Sequence, residues 1–547
     1  MLQPQTPGPV PADTARVARA AFPKGSPLIA LRDELGAVFR DDDFAGLYPP
    51  LGQPAYPPWR LALVTVLQFR EGLSDRAAAD AVRARIDWKY LLGLPLGDPG
   101  FDFSVLCEFR SRLVEHGAEH VLLDKVVEAC RERGLLKTRG RQRTDSTHVA
   151  AAVRELNRLE LAAETVRAAL NELAGAAPDW LRRLARPEWT DRYGRRVEDS
   201  LLPQSKAGRA RHAVAVGTDG YALLDAVEAA DAPPGLARLP VVGALRRIWG
   251  RHYERDADGV RPRELRGRGP EKGDSVESPY DTDARYRRKR GTAWMGYTVH
   301  LTETCDADRP RLVVHADTTA GDVHEAARAD PILAAIEERG LSAEEHLADA
   351  AYISADLLVG AADRYGVRLV GPPRKDASWQ GRTDGAYTAT DFALDYDRGV
   401  ATCPEGEESK SWRTYTDRDG GGYVMARFAV ATCRACSARD LCVRSETSGR
   451  SLRLHPERDQ AALEGMRAEL ATDEGWAAYS ARAGVEGTLS QGVRAMGLRR
   501  TRYRGLAKTR LGHVATAAAI TTDRAAAWVR GERPGGTRAS RFARLVA

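Results

Sequence analysis

The sequence has few cysteines and no long apolar run, and both absences exclude classes of protein. Seven cysteines among 547 residues are too few for a disulfide scaffold. No run of about 18 apolar residues occurs, so no transmembrane helix is expected. Residues 1–10 lack the apolar centre of a secretion signal. With 43% hydrophobic and 29% charged residues, the composition is that of a globular chain, which we expect to be cytoplasmic.

Lysine is also scarce, and the charge is unevenly distributed. Only 10 of the 82 basic residues are Lys, and the others are Arg, a residue suited to binding phosphate. The formal net charge is +6, but residues 491–547 contain 13 basic and two acidic residues and therefore carry +11. The rest of the chain is then slightly acidic. A strongly basic C-terminal segment in an otherwise slightly acidic chain predicts a localised contact with a polyanion.

The apolar periodicity predicts helices in the N-terminal part and a mixed α/β order after it. Residues 59–70 and 75–85 are two predicted helices joined by a tight turn, a pattern compatible with DNA recognition but more often structural. Strands are predicted at residues 141–150, 295–303, 311–316, 346–350 and 367–371. Alternation of these strands with helices predicts a mixed sheet covered by helices.

Three acidic residues lie at positions where their carboxylates could take part in catalysis. Asp145 lies within a predicted strand, where Asp is disfavoured, and Asp349 ends another strand. Glu486 lies on a predicted helix with Tyr479 and Arg482, whose spacing places all three on one face. Carboxylates from two strands and a covering helix could hold two divalent cations for in-line phosphoryl displacement. Taken singly, each acid could equally be an ordinary strand-end or surface residue.

The blocks around these acids resemble those of bacterial insertion-sequence transposases of the Asp-Asp-Glu (DDE) class. The Tyr-x2-Arg-x3-Glu signature of that family matches at Tyr479, Arg482 and Glu486. The block TDST around Asp145 and the block ADAAY around Asp349 resemble the first-acid and second-acid motifs. Further similar blocks, LQFREGLSDRAAADAVRARIDWKYLLGL, SVLCEFRSRL, WMGYTVHLTE and RYRGLAKTRLGHVATAAAI, occur in order along nearly the whole chain.

The resemblance implies an α/β fold with an RNase-H-like mixed-sheet catalytic core, interrupted by two insertions and preceded by an all-α N-terminal domain. It implies a partly disordered tail at 1–40, a helical DNA-binding domain at 41–137, and the first part of the core at 138–375 with a helical, polar insertion at about 151–290. A Cys-containing insertion at 376–455, the completion of the core at 456–530 and a basic tail at 531–547 follow.

The resemblance also implies roles for the site residues. Asp145, Asp349 and Glu486 would be catalytic and would hold two Mg²⁺ ions, which Mn²⁺ can replace. Tyr479 and Arg482 would either hold DNA or buttress Glu486. The family signature continues with Lys seven residues after the Glu, where this chain has Val493. Either the adjacent Arg494 binds DNA in its place, through a helix irregularity near Gly487 or Gly492, or that role is absent.

A basic stretch with an interleaved tyrosine follows the third acid. It contains no acidic residue, and it combines guanidinium groups with an aromatic ring, as contacts to phosphates and bases require. This favours nucleic-acid binding over the alternative of a solvated helix face. The candidate DNA-binding residues are Arg499, Arg500, Arg502, Arg504, Lys508 and Arg510.

Four of the cysteines, Cys403, Cys433, Cys436 and Cys442, fall within 40 residues of a region with little apolar mass. Four thiolates suit tetrahedral Zn²⁺, and a metal could supply the core that the region lacks. Cys403 is a single residue and not half of a second pair, so free buried thiols and an oxidised pair remain alternatives. The oxidised pair is disfavoured in a cytosolic compartment.

Together these patterns predict a DNA transposase. It would cleave strands at the terminal inverted repeats of its element and transfer the 3′-OH ends into target DNA, acting on double-stranded DNA of the nucleoid as a homodimer or a larger synaptic complex. Two alternatives are an RNase-H-like nuclease without strand transfer and a non-catalytic, transposase-derived DNA-binding regulator. The presence of all three acids favours an enzyme over the regulator.

Overall fold

The structure is a computed structural model that describes residues 1–264, 275–289, 291–417 and 420–533, with residues 542 and 545. Its N-terminal region contains helices α1 (Ala12–Ala21), α2 (Pro27–Leu35), α3 (Pro58–Glu71), α4 (Asp75–Ala84), α5 (Ile86–Leu92), α6 (Ser104–Glu115) and α7 (Val121–Glu132). The next region contains β1 (Arg141–Ala150), α8 (Arg158–Ala176), α9 (Pro178–Leu184), α10 (Pro187–Tyr193), α11 (Lys206–Glu228), α12 (Pro240–His252), β2 (Tyr253–Asp256), β3 (Gly259–Pro262), β4 (Arg285–Lys289), β5 (Thr292–Thr304), β6 (Val313–Ala320), α13 (Ala326–Glu337), β7 (Glu345–Ala348), α14 (Ala355–Tyr365) and β8 (Arg368–Val370). The remainder contains β9 (Ala393–Asp395), β10 (Val400–Thr402), β11 (Ser411–Thr416), β12 (Gly422–Arg427), α15 (Val430–Ala435), α16 (Arg439–Cys442), β13 (Ser451–Leu454), α17 (Glu457–Leu470), α18 (Asp473–Ser480), α19 (Gly484–Met496) and α20 (Leu506–Val529).

A mixed sheet forms the centre of the molecule. Strand β5 lies antiparallel between β1 on one side and β6 on the other, while β1 runs parallel to β7 and β7 runs parallel to β8. Strand β4 pairs with the first residues of β5. The resulting order β6-β5-β1-β7-β8, with helices on its faces, is consistent with an RNase-H-like core and confirms the predicted fold class.

One apolar core joins the N-terminal helices to this sheet. Helix α20 packs against β6, α3 and α7, and Trp59 of α3, Val313 of β6 and Ile520 of α20 are all buried in the same cluster. Within residues 1–40, the expected partly disordered tail, the structure contains helices α1 and α2. Ser26 caps α2, and apolar side chains of α2, among them Leu28, join this core. None of the helices in the described part of the chain has both the length and the apolar character needed to cross a membrane.

The two insertions have cores of their own. In the first insertion, helices α9 to α12 and the hairpin β2–β3 pack with α8 around Leu173, Trp249 and other buried residues. The second insertion forms the pair β9–β10, the three-stranded sheet β11–β12–β13 and two short helices. The predicted basic tail at 531–547 lies largely outside the described residues.

Candidate active site

Asp145 lies in the middle of β1, the strand between β5 and β7. Its Oδ1 accepts a hydrogen bond from the Ser146 backbone N–H at 2.7 Å, and its Oδ2 accepts one from Nη2 of Arg482 at 2.6 Å. Burial raises the pKa of the Asp145 carboxyl to about 6, against the lowering effect of Arg482 and the Ser146 N–H. Such a raised pKa beside a specific charge partner is typical of functional sites.

The other two acids lie on neighbouring elements. Asp349 is the first residue after β7, and its Oδ1 accepts a hydrogen bond from the Ala351 N–H at 2.7 Å. Glu486 lies in the first turn of α19, where the helix dipole favours a negative charge, and its side chain is 63% exposed.

Arg482 brings the three acids together. Its Nη2 lies 2.6 Å from Asp145 Oδ2 and 4.0 Å from Asp349 Oδ2, and its Nη1 lies 3.2 Å from Glu486 Oε1. Although burial lowers the pKa of this guanidinium, the surrounding acids more than offset that effect and the pKa is raised. Three carboxylates from two strands and a helix therefore share a single cation supplied by the protein.

A short 3-10 segment interrupts the predicted single helix through Tyr479 and Glu486. Helix α18 ends at Ser480, the 3-10 segment spans Ala481–Ala483, and α19 begins at Gly484. The Ala481 carbonyl in this segment accepts a hydrogen bond from Nη1 of Arg143 on β1. The Tyr479 ring is buried, and its hydroxyl donates to the Ala348 carbonyl at 3.3 Å, so it braces the end of β7 beside Asp349 and does not face solvent.

A buried ion pair that the sequence did not predict contacts the 3-10 segment Ala481–Ala483. Arg143 faces Glu303 across the paired strands β1 and β5, its Nε donates to Glu303 Oε1 at 2.7 Å, and the side chains are 3% and 0% exposed. Glu303 Oε2 accepts from Arg524 of α20 at 2.7 Å and from Thr488 of α19. The only sequence signal was Arg143 itself, a charged residue two positions before Asp145 in a strand.

The basic stretch runs beside the strand that carries Asp145. The Ala150 N–H donates to the Arg499 carbonyl at 2.8 Å, and Nε of Arg499 donates to Thr147 Oγ1 at 2.9 Å. Arg510 is different, because its guanidinium lies 3.2 Å from buried Glu119, which balances its charge. The remaining candidates on this stretch are exposed: Arg499, Arg500, Arg502, Arg504 and Lys508.

Helix α19 runs without a break through Gly487 and Gly492. Arg494 is exposed on it, and at 100° and 1.5 Å per residue it stands about 80° around the helix and about 12 Å along it from Glu486. The helix irregularity that would bring Arg494 to the position of the family lysine is therefore not present.

Among the described residues, no group of three or more His, Cys, Asp or Glu side chains is gathered into a formed metal site. At the acids the reason is visible, since Arg482 lies among the carboxylates. The donor set nevertheless suits a hard divalent cation, because all three side chains offer carboxylate oxygens and already surround a positive charge.

Comparisons with known proteins match two parts of the chain. Residues 402–525 match the family model "Transposase DDE domain", and residues 16–112 match the family model "Transposase domain (DUF772)". A search of curated proteins gave no significant match. The first matched part includes Glu486 but neither Asp145 nor Asp349. Together the two matches support an insertion-sequence transposase of the DDE type, and therefore a DNA transposase in general.

The contact between Gly484 and Arg143 is testable by substitution. A methyl group added at Gly484 would overlap the Arg143 guanidinium, which the buried pair with Glu303 prevents from moving away. We expect Gly484→Ala to lower the free energy of unfolding by about 1–3 kcal/mol. Gly487→Ala is the matched control on the same helix, because nothing lies within 4 Å of its Cβ position. Denaturant unfolding that shows equal stability for the two variants would contradict this packing.

The raised pKa of Asp145 predicts a pH-dependent gain in stability when the charge is removed. Because the pKa rises from 3.8 to about 6 on folding, ionised Asp145 destabilises the fold progressively as pH rises from 4 through 6. In metal-free buffer at pH 8, Asp145→Asn should therefore increase the free energy of unfolding by up to about 3 kcal/mol, at 1.36 kcal/mol per pKa unit. The gain should shrink towards pH 4. Thermal unfolding that shows a less stable variant at pH 8 would refute the assignment.

Proposed function

We propose that the protein cleaves DNA strands at the ends of its element and joins the freed 3′-OH groups to target DNA. The observation that carries this proposal is the convergence of Asp145, Asp349 and Glu486 on one guanidinium. Transposase family models match two parts of the chain. In such a chain, three acids around one cation favour a centre for phosphoryl transfer.

The three carboxylates would hold Mg²⁺ ions, which prefer oxygen ligands, and Mn²⁺ could replace them. When bound, the metal supplies Lewis-acid stabilisation of the phosphoryl oxygens. Asp145, fixed at the centre of the sheet, and Asp349, at the end of the neighbouring strand, would define the rigid side of the site. Glu486, more exposed and on a helix, would complete it from the opposite side.

Arg482 would have two roles. Before substrate arrives, it offsets part of the negative charge of the three acids and keeps them together, which limits the cost of burying Asp145. On releasing Asp145 and Asp349, its guanidinium can donate to a phosphate of the DNA strand, a geometry for which Arg is well suited.

The exposed basic side chains beside β1 would bind the DNA backbone close to the acids. They are Arg499, Arg500, Arg502, Arg504 and Lys508. The N-terminal helices would recognise the terminal inverted repeats. Because two element ends must be joined in concert, we infer a homodimer or larger assembly acting on double-stranded DNA of the nucleoid.

The experiment is a cleavage and joining assay on duplexes that carry the inverted repeats flanking the gene, with Mg²⁺ or Mn²⁺. We expect Asp145→Asn, Asp349→Asn and Glu486→Gln each to reduce cleavage by roughly 100-fold or more, because residues that only orient metal ligands already contribute about 10–100-fold. Glu474→Gln, at an exposed acid in the first turn of α18, is the control and should retain activity.

Other outcomes would identify the alternatives. Cleavage without joined products would indicate a nuclease without strand transfer. Repeat binding with no cleavage in either metal would indicate a DNA-binding regulator. Full cleavage by all three acid variants would disprove the assigned centre.

A further inference from the structure

The second insertion has a small apolar core for its length. Residues 376–455 bury nine apolar side chains in one cluster, chiefly around Phe392, Phe428 and Leu452. Six partly buried side chains pack against this cluster, and two of them are the cysteines Cys403 and Cys433. Units of this size commonly depend on a disulfide or a metal.

All four cysteines of the insertion line one cavity in this core. Cys403 follows β10, Cys433 lies in α15, Cys436 follows α15 directly, and Cys442 ends α16. The cavity has a volume of about 40 Å³, room for a single ion but not for an organic ligand. All four residues are free thiols. Side chains from three separate parts of the insertion thus meet at one place.

Backbone N–H groups are directed at two of the sulfurs. The Glu407 N–H donates to Cys403 Sγ at 3.4 Å, and the Arg450 N–H donates to Cys433 Sγ at 3.4 Å. The first contact requires a tight turn, in which the Gly406 N–H bonds the Cys403 carbonyl at 2.9 Å and Gly406 has a φ of +85°. This turn therefore fixes the orientation of Cys403 Sγ, as hydrogen bonds around a metal ligand do.

Two arginines, Arg439 and Arg450, line the same cavity, although most of the side chains around it are apolar or cysteine. Burial lowers the pKa of Arg450, and its Nε is buried without a hydrogen-bond partner among the described residues. Glu405 and Glu407 line the cavity as well and provide counter-charges for the two guanidiniums. A Zn²⁺ ion bound by four thiolates would carry a net charge of −2, and Arg450, whose Nη1 donates to the Cys442 carbonyl at 3.2 Å, lies close enough to stabilise that charge.

We propose that Cys403, Cys433, Cys436 and Cys442 bind one structural Zn²⁺ ion that ties β10, α15 and α16 together. Four sulfur ligands suit tetrahedral zinc, and a site whose four positions are all filled by the protein has a structural role and no open position for catalysis. The described side chains do not form a ready coordination shell, so binding turns the four thiols towards a common centre and releases their four protons.

The test is the metal content of the purified full-length chain, which does not depend on DNA cleavage. We expect one equivalent of zinc by mass spectrometry in the unaltered chain and in Cys107→Ser, the control at an exposed cysteine of α6. Cys436→Ser should lose most of this zinc and unfold at a lower temperature. Zinc far below one equivalent in the unaltered chain would overturn the proposal.

A second measurement covers the case in which a cysteine variant does not fold. After metal removal from the unaltered chain, added Co²⁺ should give the intense visible absorption of tetrahedral cobalt thiolate. X-ray absorption of the zinc form should show four sulfur neighbours at about 2.3 Å. A shell of nitrogen and oxygen, or no cobalt thiolate absorption, would exclude the four-cysteine site.

Discussion

The buried pair of Arg143 and Glu303 is the interaction on which the geometry of the acids depends. It joins two adjacent strands of the central sheet. Through the Ala481 carbonyl, Thr488 and Arg524 it also contacts the 3-10 segment after α18, the N-terminal half of α19 and the C-terminal part of α20. Loss of one partner of such a pair leaves an uncompensated buried charge, which typically costs about 3–5 kcal/mol. The network is therefore a structural requirement of the site, although neither member touches the cluster of acids.

The acids themselves are held in an arrangement that opposes stability. Burial of Asp145 disfavours its charged form, and the nearby negative charges of Asp349 and Glu486 increase that cost. Arg482 offsets part of it by supplying positive charge inside the cluster. Ionisable groups with perturbed pKa values are concentrated at functional sites, so this unfavourable arrangement supports the proposed active site.

The elements near the acids could be predicted from the sequence because their signals are local. The β-branched strand around Asp145, the hairpin of β5 and β6 and the strand before Asp349 follow from side-chain alternation over a few residues. The 3-10 segment between α18 and α19 could not be predicted, because the residue that it contacts, Arg143, is 338 positions away in the chain. The burial of Tyr479 and the pairing of Arg510 with Glu119 likewise depend on partners that only tertiary structure supplies.

The shared core of the N-terminal helices, α20 and the central sheet has an evolutionary consequence. A region that packs through Trp59, Val313 and Ile520 into the same interior as the central sheet cannot be exchanged as an independent module without exposing that interior. Apart from the exposed side chains of each, the N-terminal helices and the central sheet are therefore constrained to change together.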